Sequence, residues 1–142
     1  MRRGQGRQGE TSADTPHEWI DDDAALGDFV THARSFPAYE MDTEFHREKT
    51  YFPRLALMQI KAGTTTALID PLSVDLSLLG PLFESDAIAV LHAAQQDLDV
   101  MTQAMGFVPS RIFDTQVAAG FIGYSSPSLS TLASALLKVN VP

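Results

Sequence analysis

Ala87-Ile88-Ala89-Val90-Leu91 is an unbroken apolar run, followed at once by His92-Ala93-Ala94-Gln95-Gln96-Asp97-Leu98. Five apolar residues without polar alternation mark a strand buried on both faces, as in a sheet with helices packed on either side. A helix from about Ala94 to Met105 is expected next, stopped by Gly106 in the post-helix position. Upstream, Val74–Phe83 carries Leu76, Leu79 and Leu82 on one helical face. Before it come three strand-like stretches, Ala38–Glu44, Arg54–Lys61 and Thr65–Asp70; the turn signal Ala62-Gly63-Thr64 joins the last two as a hairpin. Nearer the N-terminus, His17-Glu18-Trp19-Ile20 is a short strand candidate. Asp21-Asp22-Asp23 then supplies caps and dipole-complementing charge for a helix bearing Leu26, Phe29, Val30 and Ala33. Thr115–Ile122 and Leu129–Val139 read as two further helices. The order of elements predicts an α/β domain built on a mixed sheet with flanking helices.

Composition narrows the function classes. A length of 142 residues suits one domain with a real core. Ten Lys plus Arg against 18 Asp plus Glu give a net charge of −8, which excludes a generally basic nucleic-acid wrapper but leaves room for a local basic patch. With no cysteine, disulfide scaffolds, thiolate zinc sites and cysteine nucleophiles are excluded. Residues 1–15 are polar, glycine-rich and aperiodic, so a disordered tail is expected, with residues 16–142 forming the domain. No apolar stretch follows Arg2-Arg3, which argues against a twin-arginine export signal. Residues 115–137 are uncharged over a length that raises the possibility of a membrane span, but Gly120, Gly123 and Ser125-Ser126-Pro127-Ser128 divide them. A soluble, cytoplasmic protein with no membrane partner is expected.

The chemistry-bearing stretch is Met41-Asp42-Thr43-Glu44-Phe45. Alternation on a strand sends Asp42 and Glu44 to one side, where two carboxylates repel and one tends to stay protonated. A divalent cation removes the conflict, and hard oxygen ligands suit Mg²⁺ or Mn²⁺. Asp97 falls in the first turn of the helix after the buried strand, at the strand end where open α/β sheets hold ligands. Helix-dipole complementation is its structural alternative, and a hydrogen-bonded strand-end residue is that of His92. Asp114 precedes a helix as an N-cap, with the polar groups of Thr115 and Gln116 beside it. Arg47, Lys49 and Arg54, interleaved with Tyr51 and Phe52, can hold phosphates and stack unpaired bases, or form a solvated loop with its aromatics tucked onto the core.

Asp42-Thr43-Glu44-Phe45, Tyr51-Phe52-Pro53-Arg54-Leu55, Ile69-Asp70-Pro71-Leu72, His92–Leu98 and Phe113-Asp114-Thr115-Gln116 occur together, in order, from about Trp19 onward. In this respect the chain resembles ribonuclease D and, more broadly, the DEDD 3′–5′ exonucleases of RNase H-like fold. The resemblance implies an RNase H-like mixed sheet and hydrolysis of single-stranded 3′ ends, RNA more than DNA, with two divalent cations, Mg²⁺ or Mn²⁺. It implies Asp42, Glu44 and Asp97 as the catalytic, metal-holding carboxylates, Asp42 shared between both ions. Phe45, Arg47, Lys49, Tyr51, His92 and Gln116 are the candidate nucleic-acid contacts. The family's third motif, a tyrosine followed four residues later by an aspartate, is not reached before Val141-Pro142; Tyr124 has Ser128 at that spacing. A fold incomplete at its C-terminal side, near-inactivity of these residues alone and self-association through an uncovered apolar face are therefore expected. A non-catalytic nucleic-acid-binding module is the alternative. A receiver-like signalling domain is disfavoured, because Lys49, Lys61 and Lys138 do not follow a buried strand suitably.

Overall fold

A computed structural model of the chain describes residues 17–47 and 51–141. The expected tail and Lys49 lie outside the described residues.

Alternation and caps in the sequence produce most of the elements. Strand β1 (His17–Ile20) leads into helix α1 (Asp23–Ala33). Of the aspartate triplet, Asp22 is the N-cap, its carboxylate accepting from Ala25 N at 2.8 Å, and Asp23 reaches away to accept from Asp75 N at 2.7 Å. Leu26, Phe29, Val30 and Ala33 form the buried face of α1, as their spacing predicts. Strands β2 (Ala38–His46), β3 (Arg54–Ala62) and β4 (Thr65–Ile69) form an antiparallel meander. Gly63, with φ of 60°, makes the β3–β4 turn.

The sequence between β4 and the next strand departs from expectation. The single helix over Val74–Phe83 is a 3₁₀ turn, Leu76–Leu79, capped by Asp75, and then a separate short helix α2 (Gly80–Phe83). Pro81 is the reason: it has no N–H to continue a helical ladder and is tolerated only at a helix start. Strand β5 (Ile88–Leu91), helix α3 (Gln95–Met105), strand β6 (Ile112–Asp114) and helix α4 (Thr115–Phe121) follow. Helix α5 (Leu129–Leu132) runs on into a π-helical turn, Ala133–Leu137, instead of continuing to Val139. Strand β6 was not foreseen, because three residues are too few to show a period.

The six-stranded sheet has the order β1-β4-β3-β2-β5-β6, with β2–β3 and β3–β4 antiparallel and the other pairs parallel. It is a mixed sheet, as expected. One face is covered: Tyr39, Met41 and Thr43 of β2 and Leu55, Met58 and Ile60 of β3 lie buried on it. Helices α1 and α3 pack against that part of the sheet. Strand β5 is not fully buried on both sides, since Ala89 and Leu91 are buried while Ile88 and Val90 are half-buried. Among the described residues no helix is long and apolar enough to cross a membrane.

Candidate active site

Strand β2 is paired along both edges only at its start. Its parallel partner β5 runs beside Ala38–Glu40 and no further, whereas β3 accompanies it to His46. From Met41 onward the β5-side edge of β2 is therefore open, and its amides need acceptors from elsewhere. Asp97, in the first turn of α3, supplies one. Its Oδ1 accepts from Thr43 N at 3.1 Å and from Thr43 Oγ1 at 2.5 Å. Chain reversal after β5 thus places a helix, rather than more strand, against the open edge.

Asp42 and Glu44 flank Thr43 and project from the opposite face, both exposed. Asp97 is buried and approaches from the covered face, so the acids meet at an edge and not across a cleft. Asp42 feels the charge of Glu44, and Asp97 that of Asp42. Although Asp42 is exposed as a residue, partial desolvation of its carboxyl first, and the Glu44 charge as well, push it above its ordinary value against the opposing Thr43 amide. Burial likewise raises Asp97, opposed by its Thr43 hydroxyl bond and reinforced by the charge of Asp42. A hard divalent cation would relieve this strain, and carboxylate oxygens are its preferred donors. Geometry is less complete than chemistry: among the described residues, no three His, Asp or Glu side chains are grouped as a ligand set. The residues fit a cation in charge and donor type, with Asp42 as the shared member of two coupled pairs.

The other predicted residues divide into two groups. Phe45, Arg47 and Tyr51 line one cavity of about 540 Å³, with Phe52, Pro53 and residues of α3 including Gln96. A register slip between Glu44 and Phe45 makes a bulge that re-aims the end of β2, where Phe45 lines this cavity. Tyr51 is 90% exposed and meets Phe52 edge-on with ring centroids 5.0 Å apart, leaving aromatic surface open. His92 makes the hydrogen bonds of a strand-end residue, the alternative its sequence position allows, and Gln116 is bonded beside it. The His92 ring nitrogens lie 2.7 Å from Thr115 Oγ1 and 3.0 Å from Pro127 O, and Gln116 Nε2 donates to the same carbonyl at 3.1 Å. His92 ties the segment before α5 to the end of β5, and Gln116 ties it to the start of α4. These bonds engage both His92 nitrogens and the Gln116 Nε2 within the protein.

Two participants escape sequence reasoning, and a third is read only in part. Thr43 is the hidden member of the acid motif, because its hydroxyl and amide both hold Asp97. Glu40 stands two residues before Asp42 on the same face, opposite Lys61 of β3, a position legible from strand alternation alone. Asp114 caps α4 as expected, and it also accepts from Ala93 N and Ala94 N, twenty residues away.

A family model described as 3′–5′ exonuclease matches residues 17–141. Ribonuclease D of Desulfotalea psychrophila is 45% identical over 120 residues, covering 82% of this chain and 32% of that protein. Ribonuclease D of Escherichia coli is 40% identical over 109 residues, covering 75% and 29% respectively. The crystal structure of Escherichia coli RNase D, an exoribonuclease involved in structured RNA processing, superposes with a TM-score of 0.84 at 35% identity, over 89% of this chain and 34% of that one. The catalytic core of RRP6 from Trypanosoma brucei shares the fold, with a TM-score of 0.85 at 23% identity over 93% and 37% of the two chains. The chain thus spans about a third of the length of the curated relatives it matches.

Proposed function

The chain belongs to the 3′–5′ exonuclease family, in its ribonuclease D-like branch of RNase H-like fold, and on that premise we propose that it forms part of a hydrolase that removes nucleotides from single-stranded 3′ ends of RNA. The observation that carries this reading is Asp97 held on Thr43, between Asp42 and Glu44, with Asp42 coupled to both acids. Asp42, Glu44 and Asp97 would hold the divalent cations, Mg²⁺ or Mn²⁺. Two such ions, when bound, supply charge neutralisation at the scissile phosphate.

The protein's own groups do the rest. Thr43 fixes Asp97 so that its carboxylate does not swing away from the edge of β2. Arg47 offers a positive group for backbone phosphates, and Tyr51 and Phe52 offer faces for unpaired bases. Phe45, half-buried and next to Glu44 in the chain, lines this aromatic cavity. A paired terminus must fray to bring its last nucleotide to so narrow an edge, which favours single strands. RNA is favoured because the Escherichia coli relative is an exoribonuclease. A cytoplasmic setting accords with an RNA substrate.

These 142 residues contain no tyrosine-x-x-x-aspartate after Leu129, so they lack the family's remaining acid and its tyrosine. They are expected to bind cation and RNA while turning over very slowly. Exposed Phe121, Ile122 and Leu137 additionally favour self-association, checked by sedimentation over a range of concentrations. The principal test is a 5′-labelled single-stranded RNA incubated with the pure chain and Mn²⁺. Retention of the RNA with negligible shortening supports the reading; robust stepwise release of 3′ nucleotides overturns the slow-turnover part. A second reading, a binding module without catalysis, is favoured by the ungrouped carboxylates. It predicts RNA binding that is indifferent to Mn²⁺ and to Asp42→Asn.

A further inference from the structure

Helix α3 has no cap of its own. Its N-cap residue is Ala94, which offers no side-chain acceptor. Ala93 just before it sits at φ of 55°, in the left-handed region that a Cβ disfavours. Three residues after Ala94 stands Asp97, whose position decides whether the acids meet. A segment so placed needs an external restraint.

That restraint comes from the next strand. Leu91 and Asp114 are parallel-strand partners, so the Asp114 carboxylate stands where the chain leaves β5. Oδ1 accepts from Ala93 N at 3.0 Å and Oδ2 from Ala94 N at 2.8 Å. The same Oδ1 accepts from Gln116 N at 2.8 Å and Val117 N at 3.3 Å, capping α4. One carboxylate therefore holds the starts of two helices. Burial acts to raise its pKa, but the four amides together outweigh it and hold the group below the ordinary carboxylate value.

We propose that Asp114 is a positioning residue of the candidate active site: through Ala93 and Ala94 it sets where α3 begins, and hence where Asp97 meets Thr43 and Asp42. The inference rests on the reading of Asp42, Glu44 and Asp97 as cation-holding carboxylates. Asp114 itself touches neither cation nor substrate.

The atoms allow its two tasks to be separated. Oδ1 serves three amides, whereas Oδ2 serves Ala94 alone. In Asp114→Asn, the retained oxygen keeps the α4 cap while the new NH₂ opposes the Ala94 N–H, so mainly the α3 tie is broken. Asp114→Ser keeps a cap for α4 and is too short to hold Ala94. Ala93→Gly is the complementary change, because glycine accepts a positive φ without restraint.

The test uses the full chain, ¹⁵N-labelled and metal-free, with amide exchange read at Thr43, which is bonded to Asp97, and at Ala89, which is bonded to Arg111 O. Asp114→Asn should speed Thr43 exchange about three- to tenfold, the loss of one hydrogen bond, and leave Ala89 unchanged. Mn²⁺ affinity should fall about tenfold, as when a support of a metal ligand is removed. Adding Ala93→Gly should recover much of both effects. Asp114→Ser should repeat the Thr43 result and stands in if Asp114→Asn does not fold. Unchanged Thr43 exchange, or equal acceleration at Thr43 and Ala89, overturns the proposal. Wild-type Mn²⁺ affinity indifferent to Asp97→Asn overturns instead the cation reading, and Thr43 exchange still decides whether Asp114 positions Asp97.

Discussion

Asp97 and Asp114 occupy comparable places, each beside the end of a parallel strand and the start of a helix, yet their surroundings drive them in opposite directions. Asp114 accepts from four backbone amides, and its carboxyl is held low. Asp97 is buried, is held among the described residues by the Thr43 amide and hydroxyl, and feels the charge of Asp42; its carboxyl is raised. The difference separates two uses of one residue type. A carboxylate with all its acceptors filled by the backbone is a fastener. One that is short of donors and near like charge is poised for a cation.

The comparison is most sharply broken by removing the fastener. Asp114→Ala orphans four amides at two helix starts and should cost about 2–4 kcal/mol, two N-caps' worth, in urea-monitored stability. A loss below about 0.5 kcal/mol, within the range of an ordinary surface substitution, would show the bonds to be dispensable. Thr43→Val, nearly the same shape, removes one donor to Asp97 and should cost about 1–2 kcal/mol, leaving a poorly satisfied buried carboxylate. It should also raise the Asp97 pKa further, measurable by carboxyl ¹³C titration.

Acidity provides a subtler contrast of opposite sign. The stability linked to Asp42 and Asp97, whose values are raised on folding, is fully present below the ordinary 3.8 and lost as pH rises through the raised values. Stability linked to Asp114 is present above 3.8 and lost as pH falls through its lowered value. Metal-free Asp42→Asn should therefore gain stability relative to wild type on raising the pH from about 3.5 to 6, near the ordinary carboxylate range. A gain that shrinks with rising pH would contradict the raised value. The smallest change expected lies outside the pair, at Tyr39, whose buried hydroxyl has no partner among the described residues. Tyr39→Phe should be neutral or stabilise by about 1 kcal/mol in thermal denaturation, since an unpaired buried polar group is removed.

Local signals carried much of this architecture into the sequence. Alternation in Ala38–Glu44 placed Asp42 and Glu44 on one side, the Asp22 cap and its apolar spacing announced α1, and the run before Leu91 announced β5. What stayed hidden was non-local. No feature within a few residues of Ala93 indicates that its strained turn is held by Asp114, and no period can reveal the three residues of β6. The break at Pro81 was readable, because a proline inside a helical pattern restarts it. At the candidate site the acids were legible as a motif, but their approach from opposite faces was not. It depends on where β5 stops pairing with β2, a matter of sheet register. The shared partner of His92 and Gln116, the Pro127 carbonyl, likewise lies beyond the reach of motif spacing.

The most direct trial of the central claim is a calorimetric Mn²⁺ titration of the chain and of Asp97→Asn. The variant retains an oxygen able to accept from Thr43 while it loses the charge and one ligating oxygen, so its fold should persist. Saturable binding to the wild-type chain, weakened about tenfold or more in the variant, is the predicted result for loss of a ligating charge at a coupled site. Identical isotherms, or no binding to either protein, would contradict it.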